Sequence, residues 1–473
     1  MQFLNSFDQM MRPNRYLGDH RFYHTALAVA LPILIQNGIT NFVAMLDNIM
    51  VGRVGTVEMT GVSIANTLLF VFSLAIFGAV SGAGIFGAQF YGKGDMDGVR
   101  HAFRFKLVEC IAILSLGGVA YLCFGRELLE LYLRGEGRQT QIDESLRFGE
   151  SYLRLMLLGL PAFALSQCYA GTLRESGQTV VPMTAGLIAV GVNFVCNWLL
   201  IFGKLGLPRL GSDGAAIATV ISRFVEAAIV MVWAHRHTDR VPFFRGAWRS
   251  LRIPRRLAGH IARRGAPLIL NETLWALGQA LLIQCYSIRS YDVVSATNIS
   301  FTLGNVCNVA FMAMGASIGI LVGQLLGAGK IEEAKDTDRK LTVFTEMTCL
   351  LFGGAMALLA GAFPKIYNTE PSIQRLASEF ILISAALMPV RAYSSAAYFT
   401  LRSGGKTFVT FLFDSVFTCV IVAPVAYVLS RFTAIPVVWL FLCCESLELI
   451  KCLIGFLMIR SGVWIQNIVK EAY

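Results

Sequence analysis

Charge is scarce in this chain. Asp, Glu, Lys and Arg supply 15% of its 473 residues, against about a quarter in a water-soluble domain, so an ordinary soluble globule is excluded. Metal-ligand spacing is missing too: none of the eleven cysteines forms a CxxC pair, and Cys443 and Cys444 are adjacent. Such thiols read as free and buried in lipid. The six histidines (His20, His24, His101, His235, His237 and His260) all fall at the ends of hydrophobic segments or between them. That leaves no convergent bases or metal ligands for an intramembrane enzyme. Walker motifs are absent, so ATP is not a direct energy source. The expectation is a non-enzyme without a cofactor.

What the chain does have is hydrophobic sequence, 55% of residues, with a mean hydropathy of +0.61. Twelve segments reach the ~20 residues that a helix needs to cross hydrocarbon. They lie near 22–50, 59–88, 103–125, 146–172, 178–203, 212–236, 262–288, 293–326, 341–363, 374–401, 407–430 and 435–459. The first is too long for the apolar core of a signal peptide, and no cleavage site follows it. Ahead of it, Phe3, Leu4, Phe7, Met10 and Met11 among polar residues suit a short interfacial helix.

The net charge of +10 raises the question of nucleic acid, but its placement points to a bilayer. With twelve spans, and charges in the first or last turn of a span counted with the adjoining loop, 25 Lys and Arg fall at the termini and even-numbered loops, 11 at odd-numbered loops and four within spans. That asymmetry places both termini and the central loop in the cytoplasm. The central arginines, Arg236 to Arg264, read as a topology signal in contact with anionic lipid, and no nucleic-acid partner is expected.

Residues 31–100 and 266–335 align without a gap at an offset of 235. Pro32 falls on Pro267, Ile64 on Ile299, Thr67 on Thr302, Gly84 on Gly319, Gln89 on Gln324, Gly92 on Gly327 and Gly94 on Gly329. At an offset of 228, Pro161 meets Pro389, Thr172-Leu173-Arg174 meets Thr400-Leu401-Arg402, and Gly177 meets Gly405. Repeats of this kind mark secondary transporters, with the binding site between the copies. Six spans per copy is an even number, so both copies share one orientation and are related by a pseudo-twofold axis along the membrane normal. The expected fold is an all-α membrane protein of twelve transmembrane helices in two six-helix lobes, 1–237 and 257–473. An arginine-rich cytoplasmic linker, 238–256, joins them. Gly78, Gly82, Gly84 and Gly87 form a small-residue face for close helix packing. Pro32, Pro161, Pro267, Pro389 and Pro424 lie at or inside spans, where they free carbonyls and permit kinks.

Leu46-Asp47-Asn48-Ile49-Met50-Val51-Gly52-Arg53, then Gly61-Val62-Ser63-Ile64-Ala65-Asn66 and Gly87-Ala88-Gln89-Phe90-Tyr91-Gly92, resemble the multidrug and toxic compound extrusion (MATE) family of bacterial antiporters. Further matches are Thr172-Leu173-Arg174 with Gly177, and Leu200-Ile201-Phe202-Gly203 leading to Gly214-Ala215-Ala216-Ile217-Ala218-Thr219. The resemblance implies two six-helix lobes around a central cleft. It implies efflux of organic cations and drugs, driven by inward Na+ or proton flow, through the bacterial cytoplasmic membrane, by a chain acting as a monomer among its lipids.

Asp47 is the sharpest single candidate. A carboxylate within a span disfavours insertion by about 2.5–3.5 kcal/mol and is a functional-site hypothesis by default. It either exchanges a proton or cation, or sits near the headgroups capping a helix or pairing with Arg53. Asn193 and Asn197, spaced i and i+4, share one face of span five, and Ala215 and Thr219 have the same spacing in span six. Their oxygens beside a carboxylate suit a hard cation; the bland alternative is interhelical hydrogen bonding. The resemblance makes Asp47, Asn193, Asn197 and Thr219 a cation site, with the Ala215 carbonyl as a further ligand. Some members carry an aspartate at the position of Asn197, so a charge is lost here. No metal beyond Na+ is implied.

The second copy departs from the family pattern. Many members carry an acid eight residues after the span-seven proline, where this chain has Trp275; here the acid is Glu272. Others carry an aspartate in span ten, where this chain has Arg391. Glu272 and Arg391 either pair with each other or Glu272 binds cationic drugs. Asn37, Asn41, Glu272, Trp275 and Arg391 are candidates for the substrate cleft. Phe42, Met45, Phe70 and Phe311 suit lipophilic cations or simply pack. Arg223 with Glu226, and Glu448 with Lys451, are i, i+3 pairs that self-neutralise. Glu445 has no such partner, and Asp414 either caps a helix or faces the cleft. The competing function is a lipid-linked oligosaccharide flippase of the same two-lobe plan. It needs several deep cations for pyrophosphate, and Arg391 and Arg154 are the obvious ones.

Overall fold

A computed structural model describes residues 16–52, 55–133, 139–367 and 369–470, with the side chains at 43–49, 52, 56, 131–133, 139–142 and 291 outside the description. The interfacial helix expected around Phe3–Met11 lies outside the described residues. Among the described residues every regular element is helical. The order is α1 His20–Gly52, α2 Thr56–Lys93, α3 Met96–Leu133, α4 Gln139–Glu175, α5 Val180–Phe202, α6 Gly211–Arg236, α7 Arg255–Ser287, α8 Tyr291–Gly327, α9 Ile331–Leu359, α10 Pro371–Ala386 and α11 Met388–Ser403. A helix over Thr407–Phe432 (α12) and two short ones, α13 Val437–Ser446 and α14 Glu448–Arg460, complete it.

Ten of these helices are single and long and apolar enough to cross a membrane, and α10 with α11 makes an eleventh span bent by 50°. The twelfth segment, 435–459, is α13 plus α14, interrupted at Leu447. Among the described residues eleven spans are thus present, and the twelfth segment consists of two short helices. The bend between α10 and α11 falls where Pro389 occupies the first turn of α11. A proline has no N–H to give and its ring clashes with the preceding turn, which ends α10 there. Its repeat equivalent Pro161 lies inside the unbroken α4.

The helices group into two compact units. One comprises Ile35–Gly87 and Met96–Ala262. Within it α6 packs along both α5 and α4. Glycines set the closest approaches: a Cβ on Gly61 would stand 2.3 Å from the Ser145 carbonyl oxygen of α4, and one on Gly214 would stand 2.8 Å from the Leu200 oxygen of α5. Small residues let helix backbones meet where no hydrophobic effect drives them together. The expected small-residue face of α2 has a different use. Cβ atoms on Gly84 and Gly87 would stand 2.5 and 2.2 Å from the carboxylate oxygens of Glu175. Those glycines leave room for a charged side chain. That carboxylate accepts from the fully buried Lys106 ammonium at 2.6 and 2.7 Å, and Lys106 also donates to Thr172 Oγ1 at 2.9 Å.

The arginine-rich stretch after α6 is folded onto this unit. Short 3-10 turns at Pro242–Phe244 and Ala247–Arg249 accept hydrogen bonds from α3: Arg104 Nε donates to the Ala247 carbonyl at 2.9 Å and Nη2 to that of Gly246 at 3.0 Å. Phe103, Tyr169, Phe243 and Phe244 form an aromatic cluster beneath it.

The other unit comprises the residues up to Leu34, Ala88–Asp95 and those from Arg263 onward. Its central element is α8, which packs against α9, α10 and α11 and is 83% buried over its apolar window. Phe22, Val29, Leu321, Leu325, Phe399 and Trp464 share one apolar cluster in it. α12 is not a regular α-helix: Leu412–Val416 and Thr418–Val422 are π-helical. Such widened turns are often found at functional sites.

Candidate functional site

The four candidates on α5 and α6 are brought together. Asn197 Nδ2 donates to Asn193 Oδ1 at 3.0 Å, Asn193 Nδ2 to Thr219 Oγ1 at 3.3 Å, and Thr219 Oγ1 to the Ala215 carbonyl at 3.0 Å. Asn193, Asn197 and Ala215 are buried. The i, i+4 spacing puts each pair on one face, and the Gly214 contact holds the two helices close enough to link them. The result is a run of amide, hydroxyl and carbonyl oxygens, the donor set that hard cations prefer. The Asp47 side chain lies outside the described residues, and so does that of Met45.

Asn37 is half-buried and Asn41 exposed on α1. Beside them in the same unit, Gln36 is buried and accepts from Arg174 Nη2 at 2.7 Å. Arg174 and Arg223 both lie within electrostatic reach of Glu226, so the expected local pair is a three-member set. Arg223 also stacks its guanidinium 4.8 Å from the Phe163 ring centroid.

In the other unit the expected Glu272–Arg391 pair is not formed. Arg391 makes its ion pair with Glu445 of α13, the acid left without a partner by local spacing. Glu272 instead lies within electrostatic reach of Arg402 and Asp414. Asp414 neither caps a helix nor stands alone: its Oδ1 is 3.0 Å from Lys451 Nζ, and its Oδ2 accepts from Asn271 Nδ2 at 3.1 Å. The Lys451–Glu448 pair expected from spacing is present at 3.2 Å. Trp275 is exposed, as are Phe42 and Phe70, while Phe311 is buried in an apolar cluster with Leu303, Met356 and Met388 and lines no open surface. Arg154 is exposed and paired with Glu150 at 2.6 Å.

Several buried polar groups lie outside the candidates drawn from the sequence. Lys106 and Glu175 sit at the ends of hydrophobic segments, where charges read as loop residues; the Gly84–Gly87 spacing opposite them is the available signal. Asp338, buried on α9, accepts from Thr400 of α11. Its sequence neighbours are charged, which hides it.

A helical membrane-spanning fold built from a duplicated half, with polar oxygens inside the spanning helices, is the architecture of a membrane transporter. The chain belongs to the MatE family, whose family model matches residues 32–199 and 267–428. It is 24% identical over 450 residues to the probable multidrug resistance protein NorM of Thermotoga maritima, covering 93% of this chain and 92% of that protein. It is 23% identical over 376 residues to the multidrug resistance protein MdtK of Pectobacterium atrosepticum, covering 76% and 77%. Its fold is similar to that of a crystal structure of MATE in the bent conformation, with a TM-score of 0.84 at 17% identity, over 100% of this chain and 99% of that one. The chain is an integral membrane transporter with the two-lobe, twelve-helix fold of that family.

Proposed function

We propose that this chain exports lipophilic organic cations, drugs among them, in exchange for inward Na+ or protons, by alternating access of two lobes, 1–237 and 257–473. The supporting observation is the hydrogen-bonded run from Asn197 through Asn193 and Thr219 to the Ala215 carbonyl. These oxygens, with the Asp47 carboxylate supplying the charge, make the coupling-ion site. The Thermotoga and Pectobacterium relatives carry multidrug resistance names, which supports small lipophilic substrates. In this reading the protein works as a monomer in the bacterial cytoplasmic membrane with both termini in the cytoplasm, an orientation that the arginine distribution supports. A pyrophosphate flippase is less well supported, because Arg391 is tied to Glu445 and Arg154 is exposed and tied to Glu150.

The test is ethidium efflux from proteoliposomes under an imposed proton gradient and, separately, a sodium gradient, for wild type and Asp47→Asn. Efflux by wild type under one gradient, lost in Asp47→Asn, is the expected result. No wild-type efflux under either gradient removes the antiporter reading.

A further inference from the structure

We propose that the Lys451 ammonium is a tethered cation that occupies, in the C-terminal half, the place of an exchangeable Na+, and so restricts ion coupling to the other half. The inference rests on the coupling reading above. Lys451 is buried in the first turn of α14, directly after the break at Leu447. Its Nζ stands 3.0 Å from Asp414 Oδ1 and 3.2 Å from Glu448 Oε1, and 5.7 Å from the Phe413 ring centroid. Asp414 reaches it from the π-helical stretch Leu412–Val416.

The surroundings are built to hold a cation. The second carboxylate oxygen of Asp414 accepts from Asn271 Nδ2 at 3.1 Å. Asn271 is itself fixed by Ser415, whose Oγ lies 2.7 Å from both the Asn271 carbonyl oxygen and its Oδ1. The Tyr398 hydroxyl is 3.4 Å from Asn271 Nδ2. Two carboxylates, one of them held in place by the Asn271 amide, are the oxygen ligands that a small hard cation takes. Here an ammonium on a four-carbon stem fills that position, and its attachment to the chain keeps it there at a local concentration no free ion matches. The Asn193–Thr219 set contrasts with it, being composed of amides, a hydroxyl and a carbonyl with no basic residue among its members. Two carboxylates without their counter-ion are strongly disfavoured away from water, so removal of Lys451 leaves a site that recruits another cation.

Binding of radioactive Na+ to the purified full-length protein in nanodiscs tests this, using Lys451→Met, Lys451→Arg and the double variant Lys451→Met/Asp414→Asn. Lys451→Met should bind one Na+ per chain more than wild type. Lys451→Arg should match wild type, and the double variant should lose the additional ion. Folded Lys451→Met with wild-type stoichiometry overturns the proposal, as does a double variant that keeps the additional ion. Where Lys451→Met is unfolded without salt, its recovery by purification in high Na+ supports the proposal, and failure to recover in Na+ overturns it. Wild-type stoichiometry is read separately: a value of zero removes Na+ as the coupling ion of the other half and leaves the comparison among variants intact.

Discussion

Gly92 and Gly327 are reciprocal. A Cβ on Gly92 would stand 1.9 Å from the carbonyl oxygen of Gln324, and one on Gly327 would stand 1.9 Å from that of Gln89. Each glycine thus presses on the glutamine three residues before the other, and both pairs fall on the same repeat positions. The sequence duplication has become a physical crossing of the ends of α2 and α8. Gln89 buttresses it: Nε2 donates to the Ser403 and Gln466 carbonyls at 2.9 and 3.1 Å, and Oε1 accepts from the Ile468 N–H at 2.9 Å.

Either glycine replaced by alanine should therefore unfold or grossly misassemble the protein. The neighbour is backbone on both sides, so no side chain can rotate away, and overpacking of this kind exceeds ~3 kcal/mol. Thermal melting followed by fluorescence-detected size exclusion measures it. Gly354→Ala is the control, with nothing within 4 Å of its added Cβ; it should leave the melting temperature unchanged or raise it, by up to ~1 kcal/mol of helix propensity.

How much was legible before the structure depends on the range of each interaction. Spans, the duplication and the shared face of Asn193 and Asn197 follow from local hydropathy and helical period, which a linear reading captures. Lys451 with Glu448 is captured for the same reason. Pairing across helices is not: Arg391 takes an acid 54 residues away and Lys106 one 69 residues away, and nothing in spacing selects those partners over Glu272 or a loop location. The break at Leu387 was signalled by Pro389, but nothing local distinguished it from Pro161, whose helix stays whole; the break at Leu447 carries no proline or glycine to mark it.

Lys106 and Glu175 should behave as a unit. Lys106→Met leaves a carboxylate buried beside Gly84 and Gly87 without its Lys106 counter-ion, which disfavours folding by ~3–5 kcal/mol. The double variant Lys106→Met/Glu175→Gln removes both charges and should recover most of that loss, because a neutral buried pair carries little desolvation penalty. Melting temperatures of the two single variants and the double variant form the cycle. Strict additivity of the single effects would mean that the two charges do not stabilise each other.

The partner of Arg391 is settled by a charge exchange. Arg391→Glu should lower stability by ~2 kcal/mol, less than for a fully buried pair, since the arginine side chain is 33% exposed. Adding Glu445→Arg should restore melting temperature and efflux, while adding Glu272→Arg should restore neither. Recovery with Glu272→Arg alone would reassign the pair and return Glu272 to the role of an internal counter-ion.

Thr219 offers the sharpest separation of packing from ion binding. Its hydroxyl accepts from Asn193 and donates to the Ala215 carbonyl, so it orders the amide as well as presenting an oxygen. Thr219→Ser keeps the hydroxyl and drops a methyl; Thr219→Ala drops the hydroxyl. If these oxygens only join α5 to α6, each variant should change melting temperature and leave the ion dependence of efflux where it was. If they hold the coupling ion, Thr219→Ala should raise the Na+ or proton concentration for half-maximal efflux about 2–10-fold, which corresponds to ~0.5–1.5 kcal/mol for one hydrogen-bonding group. Thr219→Ser should remain near wild type. Efflux titrated against the driving ion in proteoliposomes distinguishes the two, because a packing defect lowers the amount of active protein without moving the midpoint.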